Sequence, residues 1–146
     1  MANKKIKWFI YTVLVGMIPI ISRLLITSII NKEDVTFFVA TDFIALGLVL
    51  HISIINELEH LNNEVDWRTI QNGMSIVYIA AYSVLFCLGI LNDEIPNMID
   101  KSILLKLSVI LVITSLILSL AVFHRVNAIY LKDSNVWINI NIDDYT

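Results

Sequence analysis

Apolar residues in this chain fall in four long blocks separated by short polar stretches: Trp8 to Ile30, Val35 to about Asn56, Thr69 to Asn92 and Ser102 to Phe123. A hydrocarbon core about 30 Å thick is crossed by roughly 20 residues of helix, so each block predicts one membrane span. Charge inside the blocks is rare: Arg23 in the first, Asp42 in the second, none in the third and Lys106 in the fourth. Short connections make successive helices antiparallel neighbours. The expected fold is therefore an all-α membrane protein, a four-transmembrane-helix up-down-up-down bundle over residues 1–132, followed by a cytoplasmic tail over 133–146.

Composition agrees with the pattern. Of 146 residues, 58% are hydrophobic and 16% charged, whereas soluble domains average about 45–50% and about 25%. A soluble enzyme domain, a disordered chain and a disulfide scaffold are excluded. The net charge of −3 gives no basic nucleic-acid surface, and no direct nucleic-acid binding is expected. Cys87 is the only cysteine, so no intrachain disulfide forms. The first block is too long for the apolar part of a signal peptide, is interrupted by Arg23 and lacks a small-x-small cleavage site, which marks it as a retained span.

Orientation follows the basic residues. With the N-terminus inside, the cytoplasmic side holds Lys4, Lys5, Lys7, Arg68, Arg125 and Lys132, and the opposite side only Lys32 and Lys101. Both termini are thus expected in the cytoplasm of a cell with an inner membrane. Trp8, Trp67 and Tyr130 fit an aromatic belt on that side. The connections Asn31–Asp34 and Asp93–Lys101, the latter with Pro96, are too short for an ectodomain, and Glu57–Arg68 is expected to extend the second helix by a turn or two.

Two of the buried charges can be placed by counting. Arg23 precedes the first outer turn by ten residues and Asp42 follows it by nine, which puts both about 14–15 Å below the turn at about 1.5 Å per residue. Pairing relieves an insertion cost on the order of 3 kcal/mol per lone charge. Lys106, about 6 Å into its span at that rise, either snorkels outward or joins the pair. The favoured role of Arg23 and Asp42 is a register-fixing ion pair; an ion or proton relay needs a continuous polar stripe, and Leu46 and Val49 interrupt Asp42, Ser53, Asn56 and His60.

Gln71, Asn72, Ser75, Tyr78 and Tyr82 give the third helix a polar-aromatic face at helical spacing, and Ser108, Thr114, Ser115 and Ser119 mark the fourth. Ser115 with Ser119, and Thr12 with Gly16, are small-xxx-small pairs suited to close helix packing, within the bundle or between protomers. Glu57 and His60 form half of a di-iron motif whose second half is missing, and no metal site or cofactor is expected. His51 and His124 read as hydrogen-bonded interior or interfacial groups. Without a nucleophile elbow, a Ser-His-Asp constellation at one depth or a phosphate-binding glycine pattern, no catalytic residue is assigned and the chain is not expected to be an enzyme.

The tail alternates. Val136, Ile138, Ile140 and Ile142 would share one face of a strand, opposite Trp137, Asn139, Asn141 and Asp143. A lone strand has unpaired backbone groups, which suggests β-augmentation onto a cytoplasmic partner, pairing between protomers, or a tail anchored at the interface by Trp137.

Three functions fit. In its four spans and cytoplasmic tail the chain resembles the four-span membrane subunits of bacterial anti-phage defence systems, of the type of the Kiwa membrane component. The resemblance implies a non-enzymatic subunit that oligomerises and recruits or senses for a cytoplasmic effector. The others are an oligomeric pore-former or holin-like channel, and an immunity protein against a membrane-active toxin.

Overall fold

The computed structural model describes residues 4–30, 37–61, 64–95 and 98–143, with side chains described between residues 10 and 129 of these ranges. The described backbone is helical: α1 (Lys4–Ile29), α2 (Ala40–Glu59), α3 (Val65–Glu94) and α4 (Lys101–Asp143). All four helices are long and apolar enough to cross a membrane, and this is a multi-pass membrane architecture. The expected turn at Asn31–Asp34 and Pro96 lie outside the described residues. As expected, α2 runs about one turn beyond Asn56 before His60 caps it.

The helices are not arranged evenly. α2 packs against α1, α3 and α4, whereas α3 and α4 touch over a shorter stretch and α1 rests mainly on α2. Of the α2 span 44% is buried, against 17–28% of the other three. One apolar cluster joins Ile44, Leu46 and Leu50 of α2 to Ile20, Tyr82, Leu104 and Val112. A second joins Ile54, Leu58 and Leu61 to Val122 and Val126.

Two glycines set how closely α2 is approached. A Cβ on Gly16 would come within 2.5 Å of Leu46 Cδ1, and a Cβ on Gly47 would overlap the Tyr82 ring. Small residues at such crossings let helix backbones pack tightly where lipid gives no hydrophobic drive between helices. The outward faces are apolar: Leu14, Ile18 and Leu25 on α1, Ile70 and Val77 on α3, and Ile113 and Ile117 on α4 are all exposed. In water this much contiguous apolar surface would be unstable; in hydrocarbon it is solvated.

The ends of α3 are shaped by polar contacts. Glu64 enters α3 in the left-handed region (φ 62°, ψ 52°), a conformation that costs a non-glycine residue about 1–2 kcal/mol. Its carboxylate accepts a 2.9 Å bond from Arg125 of α4, whose guanidinium lies 4.5 Å from the Trp67 ring centroid. Arg68 Nη1 donates to the Leu61 carbonyl at 2.7 Å, tying the α2–α3 corner. At the opposite end Asn92 Oδ1 accepts the Ile99 amide at 3.2 Å, and Asp100 Oδ1 accepts the Ser102 amide at 2.8 Å at the start of α4.

The strand expected at Val136–Asp143 is not formed. Backbone 136–143 is helical and continues α4 without a break. The physical reason is backbone satisfaction: a helix already nucleated adds one internal hydrogen bond per residue, whereas a strand with no neighbour satisfies none of its own groups. The alignment of Val136, Ile138, Ile140 and Ile142 on one face belonged to the two-residue period and does not apply to this backbone. The side chains of these four residues and of Trp137 lie outside the described ones.

Candidate functional site

Two polar groupings lie within the spans. The first joins α1 to α2. Arg23 Nε donates to Asp42 Oδ2, and Arg23 Nη2 to Asp42 Oδ1 at 3.3 Å. Eleven residues away on each helix, and in the opposite sense along them, Thr12 Oγ1 and Ser53 Oγ are hydrogen-bonded at 3.0 Å. Asp42 is buried, while Arg23 keeps a third of its side chain exposed beside a shallow groove lined by Pro19, Ser22, Ile26 and Thr27. The predicted partners therefore meet. Lys106 lies on an exposed position of α4, and the ion pair has no third member among the described residues.

The second grouping lies where α2, α3 and α4 converge. His51, Tyr82 and Ser115 are fully buried. His51 Nε2 is 2.9 Å from Ser115 Oγ, and the Tyr82 hydroxyl is 2.8 Å from the same oxygen. Ser115 Oγ also lies 2.8 Å from the Leu111 carbonyl. A carbonyl only accepts, so the serine hydroxyl donates to it, and its two lone pairs accept from Tyr82 O–H and His51 Nε2–H. The hydrogen-bond pattern thus places a proton on His51 Nε2. The Tyr78 ring stacks on the imidazole at 4.5 Å and 23°.

On these three helices His51 Nδ1, Ser75 Oγ, Ser119 Oγ, Gln71 Oε1 and Asn72 Oδ1 are buried without a hydrogen-bond partner among the described residues. Sequence reasoning picked out most of these residues singly but did not bring His51 to Ser115. Helical spacing showed which residues share a face; it gave no rotational setting for α2, which decides that His51 meets α4.

A histidine on a serine invites comparison with a hydrolytic dyad, and the chemistry differs. Ser115 has its proton on a helix carbonyl, and it sits in mid-helix, where neighbouring amides are engaged in the i to i−4 ladder and cannot hold an oxyanion. Nδ1 has no orienting carboxylate among the described residues. The arrangement can hold three helices in register and can bind a proton. His60 and His124 are exposed and lie apart from it.

The positions selected for close packing, Gly16, Ser115 and Ser119, all face this chain's own interior: Gly16 against Leu46, and the two serines on the buried face of α4. No protein-family model, curated protein or solved structure matches the chain.

Proposed function

We infer that this chain is a non-enzymatic integral membrane subunit that oligomerises and recruits, or senses for, a soluble effector. The four helices alternate in direction, so that both termini lie on one side. The excess of lysine and arginine there makes it the cytoplasmic side of a bacterial inner membrane. The likeness to four-span subunits of anti-phage defence supplies the context in which such an effector acts.

One observation carries the reading. α4 is 43 residues long and continues to Asp143, fourteen residues past Ile129, the end of its apolar span and the last of its described residues packed against the bundle. At 1.5 Å per residue that is an arm of about 20 Å. A membrane anchor alone has no use for an arm of this length, whereas a recruiting subunit needs one. The recruiting element is thus helical, in place of the strand expected from the alternating tail. The oligomeric-pore reading has weaker support, because Ser75, Tyr82, Ser115 and Ser119 are turned inward within one chain and do not offer a polar outer face to neighbouring copies.

Truncation after Ile129 tests this. The shortened protein is expected to insert and to keep its oligomeric mass in mild detergent. It is also expected to lose a soluble protein that co-purifies with the full chain at fixed stoichiometry. Retention of that protein at the same stoichiometry would show that the arm is not the docking element.

A further inference from the structure

The five unpartnered polar atoms are not scattered. Ser119 follows Ser115 by one turn on the buried face of α4, and Ser75 precedes Tyr78 by three residues on the face of α3 that stacks on His51. α3 and α4 approach each other in opposite senses, Tyr82 meeting Ser115 while Gly89 faces Leu104. Ser75 and Ser119 therefore lie on the same side of His51, toward the end where Glu64, Trp67 and Arg125 meet. Gln71 is one further turn along α3 in that direction, with Asn72 beside it. His51, Ser75 and Ser119 are each no more than 1% exposed.

Buried polar groups each cost about 1–3 kcal/mol when nothing pairs with them, and internal water typically makes about three bonds to such groups. The chemistry of the set selects the guest. Gln71 Oε1 and Asn72 Oδ1 only accept, as does His51 Nδ1 while the ring is neutral with its proton on Nε2, and the two serine hydroxyls do both. The set lacks an anionic ligand for a metal ion. Water, a small hydrogen-bond donor that also accepts, suits this set of groups.

We propose that His51 Nδ1 is a proton-binding site within the bundle, reached from the Glu64–Trp67–Arg125 end by a short file of water held by Gln71, Asn72, Ser75 and Ser119. A hydronium in the file gives its proton to the Nδ1 lone pair and is left as water, while Nε2–H stays on Ser115. The resulting imidazolium gains the π face of Tyr78, already stacked at 4.5 Å, and donates its new N–H into the file. The titratable groups facing the ring are the phenols of Tyr78 and Tyr82 on α3. α4 presents Ser115, and α1 docks on α2 through Thr12 and Ser53. No carboxylate or second cation bonds the ring among the described residues. Occupancy of Nδ1 therefore reports proton activity at the open end of the file.

Full-length protein labelled with ring-15N histidine in lipid nanodiscs provides the test, with His51→Gln assigning the signal. At neutral pH His51 is expected as the Nε2–H tautomer, in magnetisation contact with water. On acidification of the folded protein it is expected to convert to the doubly protonated ring. Ser75→Ala and Ser119→Ala are expected to abolish the water contact and to displace the titration. A ring that stays neutral while the bundle remains folded would overturn the proposal. So would an Nδ1–H tautomer, a dry ring, or serine variants that titrate like the parent. If the variants do not fold, the parent spectra decide alone.

Discussion

Arg23 and Asp42 meet through two N–H to oxygen contacts across α1 and α2, nineteen residues apart in the chain. With Thr12–Ser53 eleven residues away, they fix α1 on α2 at two points about 16 Å apart at 1.5 Å per residue. Breaking a buried ion pair on one side strands the other charge, which costs about 3–5 kcal/mol. Arg23→Ala and Asp42→Ala are each expected to lose stability toward the lower end of that range, because Arg23 is partly exposed. Unfolding in detergent measures the loss, and the exchanged pair Arg23→Asp with Asp42→Arg is expected to recover part of it.

Gly47 and Gly73 make a controlled comparison. A methyl at Gly47 overlaps the Tyr82 ring, while one at Gly73 meets nothing within 4 Å. Gly47→Ala is expected to destabilise the bundle by about 1–3 kcal/mol, the usual penalty of overpacking, and to disturb the His51 signal. Gly73→Ala is expected to stabilise α3 by up to about 1 kcal/mol through helix propensity. Equal thermal stability of the two variants would contradict the α2–α3 packing.

Ser115 accepts from two buried donors at once. Ser115→Ala strands both, at about 1–3 kcal/mol each, so a loss of about 3 kcal/mol is expected. Its neighbour Thr114 bonds only the Leu111 carbonyl from an exposed position, and Thr114→Ala is expected to change stability by less than about 0.5 kcal/mol. Chemical denaturation in micelles separates the two.

Cys87 is exposed on the surface of α3 within a span. A charged, membrane-impermeant maleimide is expected to leave it unlabelled in sealed vesicles and to label it after solubilisation in denaturing detergent. Rapid labelling in intact vesicles would place α3 outside the hydrocarbon.

The four spans were legible because bilayer thickness dictates the length of each apolar run. Arg23 and Asp42 could be matched because a short turn makes depth a matter of counting. The central place of α2 was hidden. α2 is the least apolar of the four spans, but its central position rests on Gly47 admitting Tyr82 and on His51 turning toward Ser115, both of which depend on helix rotation. The tail misled for a different reason. A two-residue alternation in Ile138–Asp143 mimics a strand, yet the backbone it follows is already helical and extends at little further entropic cost.

The attachment of α1 through Arg23 has a consequence for biosynthesis. Arg23 emerges from the ribosome nineteen residues ahead of Asp42, and a lone guanidinium at that depth is disfavoured by about 3 kcal/mol on insertion scales. Entry of the first two segments into lipid together, as a hairpin with the pair already formed, is therefore expected to cost less than entry of the first alone.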